Sequence, residues 1–235
     1  MKNGFQEKID AIIKQVIPEY RSKALSDVNL VFETGADSYE SWLTILKEQK
    51  ANPERLRTIC WAVARCGDET AIPALLVALK ARDPLLRAEA ALALGTLGDS
   101  QSLPYLLESL TKDEDIQVRT VSAHALGMLN HQKAVKPLIE VLLEIKERPK
   151  VRGQAAESLS DIGDERAVEP LIASLGDSSV EVRFWSAFAL GKLGDIRALP
   201  VLKKLSVTDC EILQGWGTVS EEARESIKAI ENFRY

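Results

Sequence analysis

Few residues in this sequence have side chains equipped for chemistry. The 235 residues include two histidines, His124 and His131, and three cysteines, Cys60, Cys66 and Cys210. Cys60 and Cys66 fall on different faces of a helix at their spacing, so they do not read as a pair of metal ligands. Cys210 lies in a stretch with Gly215, Trp216 and Gly217 and is the one thiol worth testing for reactivity, although no activating base is visible. His124 follows Arg119 on the outer side of its helix and reads as incidental. Phe184, Trp185 and Phe188 form an aromatic group that could stack on a planar ligand. At helical spacing the favoured reading is a core contact, with Phe184 and Phe188 packed against Trp216. Neither a Gly-x-Ser-x-Gly elbow nor a phosphate-binding glycine loop occurs. The residues therefore predict no catalytic group, no metal site and no cofactor.

What must position these side chains is a repeat. Arg87, Arg119, Arg152 and Arg183 are 32, 33 and 31 residues apart. Each opens a run that ends in Ala-Leu-Gly-x-Leu-Gly-Asp or a close variant. One unit of this length cannot bury its own apolar face, so a fixed period means stacked units. In residues 83–111, Asp83 caps a helix and Pro84 fits its first position. Leu86, Ala90, Ala91, Leu94 and Leu97 form its inward stripe. Gly98 ends the helix in the left-handed conformation, and Asp99 is expected to cap a second helix carrying Leu103, Leu106, Leu107 and Leu110 inward. Gly67, Gly163 and Gly194 recur at the turn, with Asn130 in the remaining slot. His131 replaces the aspartate that follows and reads as a poorer cap.

The predicted fold is all-α, a right-handed α-α superhelix of about five helix pairs with capping helices at both ends. Residues 1–52 form an N-terminal helical cap, with Phe5, Ile9, Ile12, Ile13, Val16 and Ile17 on one stripe and Trp42, Leu43, Ile45 and Leu46 on another. Residues 53–206 are the repeats. Residues 207–235 hold an irregular insertion and a final helix from Glu221. One continuous domain is expected. The repeated arginines, Arg87, Arg119, Arg152 and Arg183, should form a structural ladder reaching acidic caps or helix-end carbonyls of neighbouring units.

Thirty basic against thirty-five acidic residues leave a formal charge of −5, which argues against nucleic acid as a partner. No apolar run reaches signal-peptide or membrane-helix length, so no membrane partner is expected. An odd number of cysteines without paired spacing suits a reduced, cytoplasmic chain.

The Val-Arg…Ala-Leu-Gly-x-Leu-Gly-Asp pattern resembles the HEAT-like repeat of the phycobilisome-lyase type. Gln214-Gly-Trp-Gly-Thr-Val-Ser-Glu-Glu-Ala223 resembles the closing segment of such proteins. That wider group includes bilin lyase subunits, deoxyhypusine hydroxylases, a repair glycosylase of related fold and many interaction modules. The resemblance implies that second helices line a concave face. On it, Tyr105, Glu108, Lys136, Glu140, Arg166 and Glu169 are expected to select a protein or peptide partner by charge and shape. A non-enzymatic scaffold, monomeric in preference, is the leading expectation, and a bilin lyase-like or phycobilisome-associated protein is the alternative. In the hydroxylases, the resemblance implies, a His-Glu pair after the repeat arginine supplies iron ligands. Here those slots hold Ala88-Glu89, Thr120-Val121, Gly153-Gln154 and Phe184-Trp185. The hydroxylase reading is rejected on that ground, and the net charge of −5 counts against the glycosylase reading, which a salt-dependent DNA-binding titration would settle.

Overall fold

The computed structural model describes residues 39–49 and 51–232. The expected amphipathic helix from Phe5 to Ile17, and Phe233, lie outside the described residues. Twelve α-helices are described: α1 (Tyr39–Glu48), α2 (Pro53–Cys66), α3 (Ile72–Ala78), α4 (Pro84–Leu97), α5 (Leu103–Lys112), α6 (Ile116–Leu129), α7 (Val135–Leu143), α8 (Pro149–Ile162), α9 (Val168–Ser174), α10 (Val180–Leu193), α11 (Leu199–Thr208) and α12 (Val219–Asn232). A two-stranded antiparallel ribbon, β1 (Ile212–Leu213) and β2 (Gly217–Thr218), precedes α12. The fold is all-α and built from helix hairpins. The chain divides into two compact units, one ending at Tyr105 and the next beginning at Leu106.

Each hairpin bend has the same local chemistry. Gly67, Gly98, Gly163 and Gly194 end their helices at φ 66°, 73°, 72° and 71°, and Asn130 does so at 48°. Any Cβ-bearing residue finds this region costly, and asparagine finds it least so. The following residue caps a 3-10 turn, not the second helix itself. Asp68, Asp99, Asp164 and Asp195 each accept the backbone N–H two residues on, at 2.7–2.9 Å. In this respect the expectation for Asp99 is corrected, because Ser100–Ser102 intervenes before α5. His131 fills the same role with a longer bond. Its Nδ1 accepts the Lys133 N–H at 3.1 Å, as an aspartate oxygen would.

In the first unit α2 packs on α4, and α1 on α3. Trp42, Leu46, Ile59, Leu75, Leu86 and Leu94 are fully buried. In the second unit the first helices α6, α8 and α10 pack in succession, and α12 takes the next place in that row. Small residues set the approach. A Cβ on Gly127 would stand 2.9 Å from the Ser158 Cβ, and one on Gly191 2.9 Å from the Ser226 backbone. The Ser226 hydroxyl also donates to the Ala187 carbonyl at 2.9 Å, fastening α12 to α10.

The insertion is more regular than its sequence suggests. Gly215 and Gly217 adopt φ 85° and 125° at the ribbon turn. Thr218 and Glu221 then cap each other reciprocally. The Glu221 carboxylate accepts the Thr218 N–H at 2.8 Å, and the Thr218 hydroxyl accepts the Glu221 N–H at 3.1 Å. This capping box starts α12 at Val219, two residues earlier than expected.

Candidate functional site

The arginines of the second unit occupy one structural niche each. Arg119 donates to both oxygens of Glu147, from Nε at 2.7 Å and Nη2 at 2.8 Å, and its Nη1 reaches the Asp113 carbonyl at 2.7 Å. Arg152 is buried, donates to the Leu142 carbonyl at 2.9 Å and pairs with Asp177. Arg183 pairs with Asp209 at 2.6 Å and donates to the Asp177 carbonyl at 2.8 Å. In the first unit Arg87 is buried against the Ala81 carbonyl at 3.0 Å. Arg87, Arg119 and Arg183 tie carbonyls just ahead of their own helices, Arg152 ties the end of α7, and the three arginines of the second unit each reach an acid ahead of the following first helix or, for Arg183, ahead of the ribbon. Burial pushes the Glu147 carboxyl up, but hydrogen bonds from Arg119 and the Arg148 N–H outweigh it and hold the group below its ordinary value.

The residues expected on a concave face are occupied by near neighbours. Lys80 lies over the Tyr105 ring at 5.8 Å in the first unit. In the second, Glu108 pairs with Lys112 at 3.4 Å, Lys136 with Glu140 at 3.8 Å, Arg166 with Asp164 at 2.6 Å, and Glu169 with Arg197 at 3.0 Å. Arg166 and Asp164 act on each other strongly enough to lower the Asp164 carboxyl to about 2.

The chemically richer surface is on the first helices. Ten residues before each turn residue stand Arg57, Ala88, Thr120, Gly153 and Phe184, and the next positions hold Thr58, Glu89, Val121, Gln154 and Trp185. In the later repeats these are the paired slots after the repeat arginine, and in the first the arginine itself, Arg57, stands one residue later and fills the slot. In the second unit the face they form, together with the helical turn beyond, carries His124, Gln154, Glu157, Trp185 and Phe188, all half-buried. The Gln154 amide donates to the Glu157 carboxylate at 2.7 Å and lies 3.5 Å from His124 Nδ1. Trp185 meets three rings, Phe184 at 5.5 Å, Phe188 at 5.6 Å and Trp216 at 4.8 Å, the last reaching over from the β1–β2 turn. Phe184 is buried, whereas Trp216 is 66% exposed. Lys192 sits over Phe188 at 5.7 Å while pairing with Asp161 at 2.7 Å. His124, taken from sequence as incidental, thus shares a face with a carboxylate one helix away. Its spacing from Arg119 gives no sign of this, because the neighbour comes from another repeat.

Whether this face fits iron follows from its donors. Among the described residues no three His, Cys, Asp or Glu side chains cluster as a metal site. His131 is spent at its turn, so His124 is the one imidazole on the face. A site of two histidines and a carboxylate cannot be assembled from it, and the residues present do not fit the iron centre. In the first unit the slot carboxylate Glu89 is raised by burial and opposed by the nearby Arg57 charge. Cys60 is buried, its thiol pushed well up by that burial, which leaves it no nucleophile. Cys210 is exposed, and Cys66 is partly so.

Comparison with known proteins places this geometry in context. A deoxyhypusine hydroxylase-B from Oryza sativa subsp. japonica is 28% identical over 208 residues, 74% of this chain and 68% of the relative. A deoxyhypusine hydroxylase from Candida glabrata is 29% identical over 154 residues, 53% of this chain. The chain spans about two thirds of the rice relative and 48% of the yeast one. Further relatives carry the same enzyme name. These matches overturn two expectations from sequence, the non-enzymatic scaffold and the preference against an enzyme, since the relatives are named as enzymes. They also reopen the hydroxylase reading, which the missing iron ligands had closed. A solved complex of CpcE and CpcF of phycocyanin lyase from Nostoc sp. PCC7120 superposes with a TM-score of 0.54 at 23% identity, covering 69% of this chain and 99% of that one. This likeness shows the fold alone, and the bilin alternative draws less support than the hydroxylase relatives. No helix among the described residues is long and apolar enough to cross a membrane. The family model for HEAT repeats matches residues 39–127, 103–180 and 135–216, so the chain belongs to the HEAT-repeat family.

Proposed function

We propose that this chain is an enzyme acting on a side chain of another protein, and that the α6–α8–α10 face receives that side chain. The observation that carries the reading is the run of relatives named deoxyhypusine hydroxylase, with the rice protein matched over 74% of this chain. A protein bearing deoxyhypusine is therefore the first substrate to test. The choice of face is supported by its contents, with His124, Gln154 and Glu157 linked beside Trp185, Phe188 and Trp216.

The face offers proton transfer and a hydrophobic seat. An imidazole can take or give a proton, and the Gln154 amide fixes the orientation of the Glu157 carboxylate. The rings exclude water from a side chain laid across them and attract a cationic one through their faces. No oxygen-inserting step is assigned to these residues, because the donors do not fit the iron such a step would use.

The test is intact-mass spectrometry of a deoxyhypusine-bearing protein after incubation with the full chain. A mass change at that residue, lost in Glu157→Gln while binding persists, supports the proposal. An unchanged substrate, under conditions where a deoxyhypusine hydroxylase converts it, overturns it.

A further inference from the structure

The paired slots are filled in a way that bears on metal binding by itself. Gly153 is buried in α8, and a Cβ built there would stand 2.9 Å from Trp185 Cδ1 and 3.2 Å from Glu181 Cγ. Real Cβ atoms do not approach other atoms that closely, so no residue larger than glycine fits at 153 while the indole stays in place. The indole cannot easily move, because it is held edge-to-face by Phe184, Phe188 and Trp216. Gly153 is the first slot position of its repeat and Trp185 the second slot position of the next. One has no side chain, and the other fills the space with a ring that offers no metal lone pair.

The first unit reaches a similar end with charge. Its slots hold Arg57 and Glu89 on the packed helices α2 and α4. Arg57 is fixed by Asp83 at 2.9 Å. A guanidinium is never deprotonated in a protein and offers no acceptor, so it both fails as a ligand and repels a divalent cation.

We propose that the seating of Trp185 on Gly153, and of Arg57 beside Glu89, closes these slots, so that the chain takes up no ferrous iron there. This goes beyond the substrate reading, and both measurements below omit substrate, so either conclusion can fail without the other.

The first measurement adds ferrous iron to the full chain without oxygen, desalts it and determines the retained metal. Iron at the level of the desalting buffer is expected. Stoichiometric iron whose retention falls in Glu89→Ala or Gln154→Ala would overturn the proposal. The second measurement compares thermal melts of Gly153→Ala, Trp185→Ala and the double variant. A drop in Tm for Gly153→Ala that largely disappears in the Trp185→Ala background is expected. Equal drops in the two backgrounds would show that the indole is not what fills the slot.

Discussion

Asp177 gives the sharpest test of how the repeats are coupled. Its carboxylate pairs with Arg152, and the two side chains are 10% and 6% exposed. Its Oδ1 also accepts the Ser179 N–H at 2.8 Å ahead of α10. Asp177→Asn keeps an oxygen for Ser179 and removes the charge, which strands the Arg152 guanidinium with only the Leu142 carbonyl at 2.9 Å. Leaving one member of a buried pair uncompensated costs about 3–5 kcal/mol. Asp177→Ala also loses the turn bond, for roughly 1 kcal/mol more. By contrast, the Arg57–Asp83 pair is 30% and 25% exposed, and breaking it should cost about 1 kcal/mol or less. Arg152→Met combined with Asp177→Asn removes both charges and should recover much of the loss, because apolar replacement of a buried pair is often near neutral. Urea unfolding followed by far-UV circular dichroism measures these three variants beside Arg57→Met, which breaks the exposed pair. A cost for Asp177→Asn no larger than that for the exposed pair would refute the claim that the buried arginines couple successive repeats.

Other expectations follow from single contacts. Glu147 is held below its ordinary 4.5, so its rung with Arg119 stabilises the fold above that value and is lost as pH falls through the lower, folded-state value. The stability gap between the native chain and Glu147→Gln should therefore be steady near neutrality and close in acid, as read by unfolding at a series of pH values. Gly191→Ala forces a methyl into the Ser226 backbone of α12 and should cost about 1–3 kcal/mol in thermal or urea melts. The Ser122, Ser158 and Ser186 hydroxyls are buried without hydrogen-bond partners, so each change to alanine should raise stability by about 1 kcal/mol in the same melts. His131→Ala removes an imidazole cap and should cost about 1 kcal/mol, whereas His131→Asp should leave stability unchanged or better.

The architecture is legible in the sequence because its signals are local. A left-handed residue ends each first helix, a short acceptor caps the turn after it, and the arginine opens the next unit. Each of these acts within a few residues, so the spacing carries it. Asn130 could be placed by this logic alone. His131 follows the same logic, its Nδ1 accepting at the aspartate's place over a longer bond. The ribbon at Ile212–Thr218 hides behind two glycines that read as irregularity. The candidate site was not legible, because its contacts join different repeats. Gly153 meets Trp185, and Gln154 lies near His124, only through the register of neighbouring helices. That register is set by small residues such as Gly127 against Ser158, which sequence spacing shows only as helix composition. Function was misjudged for a related reason. The absence of iron ligands speaks about one kind of chemistry and not about whether the chain is an enzyme.

The central claim is that the α6–α8–α10 face receives a modified side chain of a protein. Calorimetric titration of the full chain with a deoxyhypusine-bearing protein, and with the same protein carrying unmodified lysine, tests it most directly. Preferential binding of the deoxyhypusine form, weakened in Trp185→Ala and in Glu157→Gln while the melts stay cooperative, is the predicted result. Equal affinity for the two forms, or affinity untouched by both substitutions, would contradict it.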